Sequence, residues 1–344
     1  LGAIGSDPVE VSAVAHVAGG VATAKAEVSS AGSGARESLL TLDARVPLPG
    51  KAPPGTKLAV SLDVPRRDFE KLLPVLPPAT RLKLKGVRDG FFSAHVDLSG
   101  TAKAPAGTVD LLVGGKVLSD EVREVHLTSK LTPGVAGDLG VELRLAATSG
   151  REGPNAKLSS DVHFERSPLV DPKAPLTHHT SFLLEQDLEK LPKGLPLPPG
   201  LAGQIRVAAD LDGTRQDLLG RVTLSTSGLR TQTSPPVDLS IEAAVGEAAT
   251  AISGGVVVAG ERLLELSGTV GLAGRGIVPA LKTLPPSVLA LKVKVPDRLL
   301  ASLSPVAPKT AGLPGDIGGS IDLTGTTAAP LADGTLFYRG YPTA

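Results

Sequence analysis

Apolar and polar residues alternate one for one along most of this chain, and a two-residue period places every second side chain on the same face of a strand. Leu40-Thr41-Leu42-Asp43-Ala44-Arg45-Val46, Leu58-Ala59-Val60-Ser61-Leu62-Asp63-Val64, Phe92-Ser93-Ala94-His95-Val96-Asp97-Leu98 and Leu291-Lys292-Val293-Lys294-Val295 are the plainest runs. Residues 141–145, 205–211 and 237–241 follow the same rule. Such runs predict a sheet with one apolar face and one solvated face. Clusters such as Pro53-Pro54-Gly55, Thr132-Pro133-Gly134 and Pro198-Pro199-Gly200 punctuate them as turns. Helical spacing is confined to 66–73, 187–191 and 297–303, each predicted as one or two helical turns, opened by an Asp and closed by a Pro.

Composition narrows the function classes. With 35 Lys+Arg against 35 Asp+Glu the chain lacks the basic excess on which nucleic-acid binding rests, so no nucleic-acid partner is expected. No Cys is present, which removes disulfides, thiolate metal sites and thiol nucleophiles. At 41% hydrophobic it is too apolar for disorder, yet only six Phe and two Tyr supply aromatic area, so the apolar content is Leu, Val and Ala. No run of 18 apolar residues capable of spanning a bilayer as a helix occurs. The chain begins Leu1-Gly2-Ala3 and contains no Met, and it reads as a segment of something longer whose export signal, if any, lies upstream.

A motif recurs at long range. Asp97-Leu98-Ser99-Gly100-Thr101, Asp210-Leu211-Asp212-Gly213-Thr214 and Asp322-Leu323-Thr324-Gly325-Thr326 are spaced 113 and 112 residues apart, and each is followed by a turn and a further strand. The chain therefore reads as one repeat array with approximate units 1–107, 108–220 and 221–334 and a partial end, 335–344. Counting every alternating run gives well over twenty strands, and open twisted sheets rarely exceed about ten without curling, splitting or closing. Stacked continuously at strand spacing, they would extend on the order of 100 Å. Three short helical turns cannot cover the apolar face. The expected fold is all-β: an elongated, curled antiparallel sheet that either closes into a solenoid or leaves an open groove with an aliphatic interior. An open groove of that size needs a ligand, and acyl chains meet the requirement.

The repeat resembles the TamB/AsmA-like family of diderm bacteria. The likeness rests on the unit from Asp97 to Leu112, with Pro105 and Gly107 after the motif, and on its near counterpart from Asp322 to Leu336. It rests also on the Leu- and Pro-rich stretch Leu72-Leu73-Pro74-Val75-Leu76-Pro77-Pro78. The central copy departs from it, with Arg215-Gln216-Asp217-Leu218-Leu219 in place of the Pro. The resemblance implies a β-taco-like groove in the periplasm, carrying phospholipid acyl chains between membranes or assisting outer-membrane biogenesis. It also implies a membrane anchor and outer-membrane assembly partners served by regions outside this segment.

On that reading the groove is lined by Leu58, Val60, Leu62, Val96, Leu98, Val109, Leu111, Val207, Leu211, Val222, Leu224, Leu291, Val293, Ile321 and Leu323. Transport along it is passive, so no catalytic residue and no cofactor is expected. The runner-up is a structural or adhesive β-repeat protein in which the same residues form a closed dry core. A polysaccharide-active β-helix enzyme is disfavoured because no acidic or His cluster stands out. No G-x-S-x-G elbow or phosphate-binding loop is present. His178-His179, the one His pair, is placed in a solvated turn with its rings on opposite faces, and no metal site is expected. His16, His126 and His163 read as isolated, Gly114-Gly115-Lys116 and Gly86 as turns, and Asp120-Glu121 as solvated turn acids.

Overall fold

The computed structural model describes residues 9–30, 37–48, 51, 53, 55–68, 87–117, 122–135, 138–149, 154–171, 173–190, 198–215, 217–271, 287–305 and 307–340. Among the described residues the protein is all-β, with eighteen strands paired antiparallel and no α-helix. By packing, the chain divides into two compact units, Leu1–His178 and His179–Ala344. The first holds β1 (Val9–Ala18), β2 (Val21–Ser30), β3 (Glu37–Pro47), β4 (Ala59–Asp68), β5 (Val87–Gly100), β6 (Pro105–Val117), β7 (Val122–Pro133), β8 (Leu139–Ser149) and β9 (Pro154–Phe164). The boundary falls inside β10 (Leu176–Asp187). The second unit continues with β11 (Ala202–Thr214), β12 (Leu218–Arg230), β13 (Val237–Val245), β14 (Thr250–Val258), β15 (Glu261–Val270), β16 (Leu289–Leu299), β17 (Asp316–Thr326) and β18 (Ala329–Arg339). Within each unit every strand pairs with its neighbour in sequence, the meander that short turns dictate.

The recurrent motif has a local physical meaning. Its three copies end β5, β11 and β17, six strands apart, and each leads into a hairpin with the next strand. In each hairpin the Thr hydroxyl oxygen accepts the backbone N–H three residues on: Thr101 from Ala104, Thr214 from Asp217 and Thr326 from Ala329, all at 3.2 Å. A hydroxyl in that position closes the turn as a backbone carbonyl would. The Asp-Leu half matters to the next strand. Leu98 lies opposite Gly107 and Leu211 opposite Gly220, both at positive φ (+146° and +134°). A Cβ on either glycine would run into the backbone oxygen of Asp97 or Asp210, so only glycine admits this close approach.

One expectation of a helical turn is corrected and another is met by a short turn. Residues 297–299 continue β16, with Arg298 opposite Ile317 and Leu299 opposite Asp316, and only Leu300–Leu303 form a 3-10 turn. Strand pairing here overrides helical spacing. After β10 the helix is likewise a single 3-10 turn, Leu188–Lys190, where the Asp187 carboxylate accepts the Glu189 N–H at 3.0 Å and Leu188 is buried. Of the third segment, Arg66, Arg67 and Asp68 belong to β4, and residues 69–73 lie outside the described residues, as do Gly86 and Asp120-Glu121. Gly114-Gly115-Lys116 is not a turn but part of β6.

Burial is uneven along the strands. The buried hydrophobic side chains sit mainly at strand ends or just beyond them: Leu58 before β4, Leu139 opening β8, Leu188 after β10, Leu218 opening β12, and Val258 and Val270 closing β14 and β15. At mid-strand many aliphatic residues are half-buried between exposed polar neighbours, although Val64 in β4 and Phe91 and Ala94 in β5 are buried. In β4, for example, Val60 and Leu62 are half-buried between exposed Ala59, Ser61 and Asp63.

Candidate functional site

Register turns the separate alternating runs into lateral rows. In the first unit Leu42 faces Leu62, Leu62 faces Val96 and Val96 faces Val109, and the row continues through Ser129 to Leu143. Beside it Val60 faces Leu98, and on the other flank Leu111, Leu127, Leu145 and Leu158 face one another in turn. In the second unit Val207, Leu224, Ile241, Gly254, Leu266, Val293 and Ile321 form one row, while Leu291 faces Leu323 and Val222 faces Ala209. Cross-strand aliphatic pairs of this kind contribute roughly 0.2–1 kcal/mol each.

All fifteen residues expected to line a groove fall on the sheltered face of their unit. Leu58 and Leu211 are buried, and the other thirteen are half-buried. Leu42, Leu127, Leu145, Ile241 and Leu266 share these rows and were not singled out from sequence. Their alternating pattern was visible, but which residues stand side by side depends on inter-strand register.

The opposite face is ionic. Lys25 pairs with Asp43 at 2.9 Å, Arg144 with Glu142 and Asp161 at 3.0 and 2.9 Å, Arg221 with Glu242 at 3.1 Å, and Lys292 with Asp322 at 3.8 Å. These pairs are exposed, and their role is to solvate one face more than to stabilise the sheet. A part-buried pair, Arg67 with Glu37, ties β4 to β3, and Arg66 stacks 3.7 Å over the Phe91 ring.

The histidines differ from expectation. His126 is not isolated, since its Nε2 lies 2.9 Å from Asp110, and His163 approaches Asp138 at 3.9 Å. His95 is exposed and lies 3.5 Å from Asp63. His178 and His179 are in β10, not in a turn, and alternate between half-buried and exposed. His179 meets two carboxylates of β11, Asp212 at 2.9 Å and Asp210 at 3.7 Å. A cross-strand contact of that kind leaves no signature in local sequence.

Comparison with family models, with curated proteins and with solved structures finds no match to this chain.

Proposed function

We propose that this chain is a segment of a lipid-transfer protein whose aliphatic strand faces carry phospholipid acyl chains, with headgroups left in solvent. The observation that carries the reading is the distribution of burial. Several side chains near strand ends are dry, as are Val64, Phe91 and Ala94 within β4 and β5, while the aliphatic rows named above stay mostly half-buried although each residue has a strand on either side. Aliphatic surface kept accessible in rows is suited to sliding acyl chains, which need apolar contact without directional bonds. Covering ten methylenes would contribute on the order of 8 kcal/mol, enough to hold a lipid without any catalytic group. The periplasmic location and outer-membrane partners belong to the same proposal and rest on the repeat's resemblance to the TamB/AsmA-like family.

The competing reading is a structural repeat with a closed core, and the buried strand ends favour it. One experiment separates the two. The protein is purified from a diderm host and examined by native mass spectrometry, with organic extraction of what co-purifies. Several phospholipids per chain are expected, whereas a lipid-free, monodisperse chain overturns the proposal. Val109→Asp, in the middle of the first unit's row, sharpens the outcome. On an accessible face the carboxylate reaches water, so the variant keeps its β circular dichroism and cooperative unfolding while bound lipid falls. In a dry core the same charge unfolds the unit.

A further inference from the structure

We propose that His179, Asp210 and Asp212 form a binding site for a divalent transition-metal cation of the zinc class, on the exposed face of the second unit. One donor atom from each of the three lies within 4.8 Å of the others, the one such convergence of three metal-ligating side chains among the described residues. The remaining histidine–aspartate contacts, His95 with Asp63, His126 with Asp110 and His163 with Asp138, remain simple pairs.

The spacing is that of a coordination sphere. Donors bound to one zinc at about 2.0–2.2 Å with tetrahedral angles lie roughly 3.3–3.6 Å apart. The His179 Nδ1 lies 2.9 Å from the Asp212 oxygen and 3.7 Å from the Asp210 oxygen, values on either side of that range, so small side-chain rotations suffice. An imidazole with two carboxylates is a borderline-hard donor set, and a dication neutralises the two acids. The fourth position stays open to water, since all three side chains are exposed. The donors also stand on neighbouring strands, β10 and β11, with Asp210 and Asp212 two residues apart and so on one face. Arg221, opposite Asp210 in β12, has its guanidinium engaged by Glu242 at 3.1 Å.

The three motif copies provide an internal contrast. Asp210 has counterparts in Asp97 and Asp322, but where the central copy carries Asp212 the others carry Ser99 and Thr324. The turn chemistry is the same in all three, so the second carboxylate is not needed for folding the hairpin.

The test is titration of the full chain with zinc chloride by isothermal calorimetry in a non-chelating buffer, with the imidazole resonances followed by NMR. One zinc per chain at this site is expected, with the His179 ring resonances shifting on addition. His179→Ala and Asp212→Ser each weaken that binding at least tenfold while the circular dichroism is unchanged, and His126→Ala leaves it as it was. Absence of zinc uptake, or affinity in His179→Ala and Asp212→Ser equal to that of the parent chain, overturns the proposal. So does a loss in His126→Ala as large as that in His179→Ala.

Discussion

Leu139 and Leu143 are the same residue on the same strand and the same face, four positions apart, yet their environments differ. Leu139 is 1% exposed, opposite Pro133 in β7 and Phe164 in β9, beside the turn where Gly134 donates to the Asp138 carbonyl. Leu143 stands opposite Ser129 and Ser160 and is half-buried. Alternation makes both apolar, but position along the strand decides which of them is covered. In β8 the strand end is dry beside its turn and the strand middle stays accessible.

The sharpest way to break the comparison is to truncate both. Leu139→Ala is expected to cost about 2–5 kcal/mol in urea unfolding, because a buried leucine leaves a cavity. Leu143→Ala should cost about 1 kcal/mol or less, since part of its surface is already wet. Equal losses would mean that the strand middles are as dry as the ends. Next in size is Gly220→Ala. Its Cβ meets the Asp210 backbone oxygen at a positive φ, so the strand must shift, at about 1–3 kcal/mol, read as a lower denaturation midpoint of the second unit. The smallest effect is expected from Thr214→Val, which removes the turn bond to Asp217 at nearly constant volume. It should cost about 0.5–1.5 kcal/mol. Thr101→Val in the first unit should match it, because the same bond closes both hairpins.

Several features were legible before any coordinates. The strands containing 59–64, 92–98, 205–211 and 291–295 lie where alternation places them, and the fifteen residues read as groove lining are buried or half-buried. Other features were not. The segment 297–303 carries helical spacing, yet its first half extends β16 because β17 offers it backbone partners at Ile317 and Asp316. Gly114-Gly115 looks like a turn and lies inside β6, paired with Glu124 and Arg123 of β7. In both cases a partner strand outweighed local preference.

The chain by itself determined what depends on neighbours within a few residues: the two-sided strands, which follow from a period of two, and the three hairpins, each closed by a threonine bonding three residues ahead. Only the tertiary structure decided what depends on register. Hydrogen-bonded pairing of distant strands sets Leu62 beside Val96, lays the Asp210 backbone oxygen against Gly220, and leaves Leu143 accessible where Leu139 is dry. Across β10 and β11 it also brings His179 to Asp210 and Asp212, more than thirty residues away. A slip of one residue in any pairing would turn each of these side chains to the other face, and nothing in a local pattern records which pairing wins.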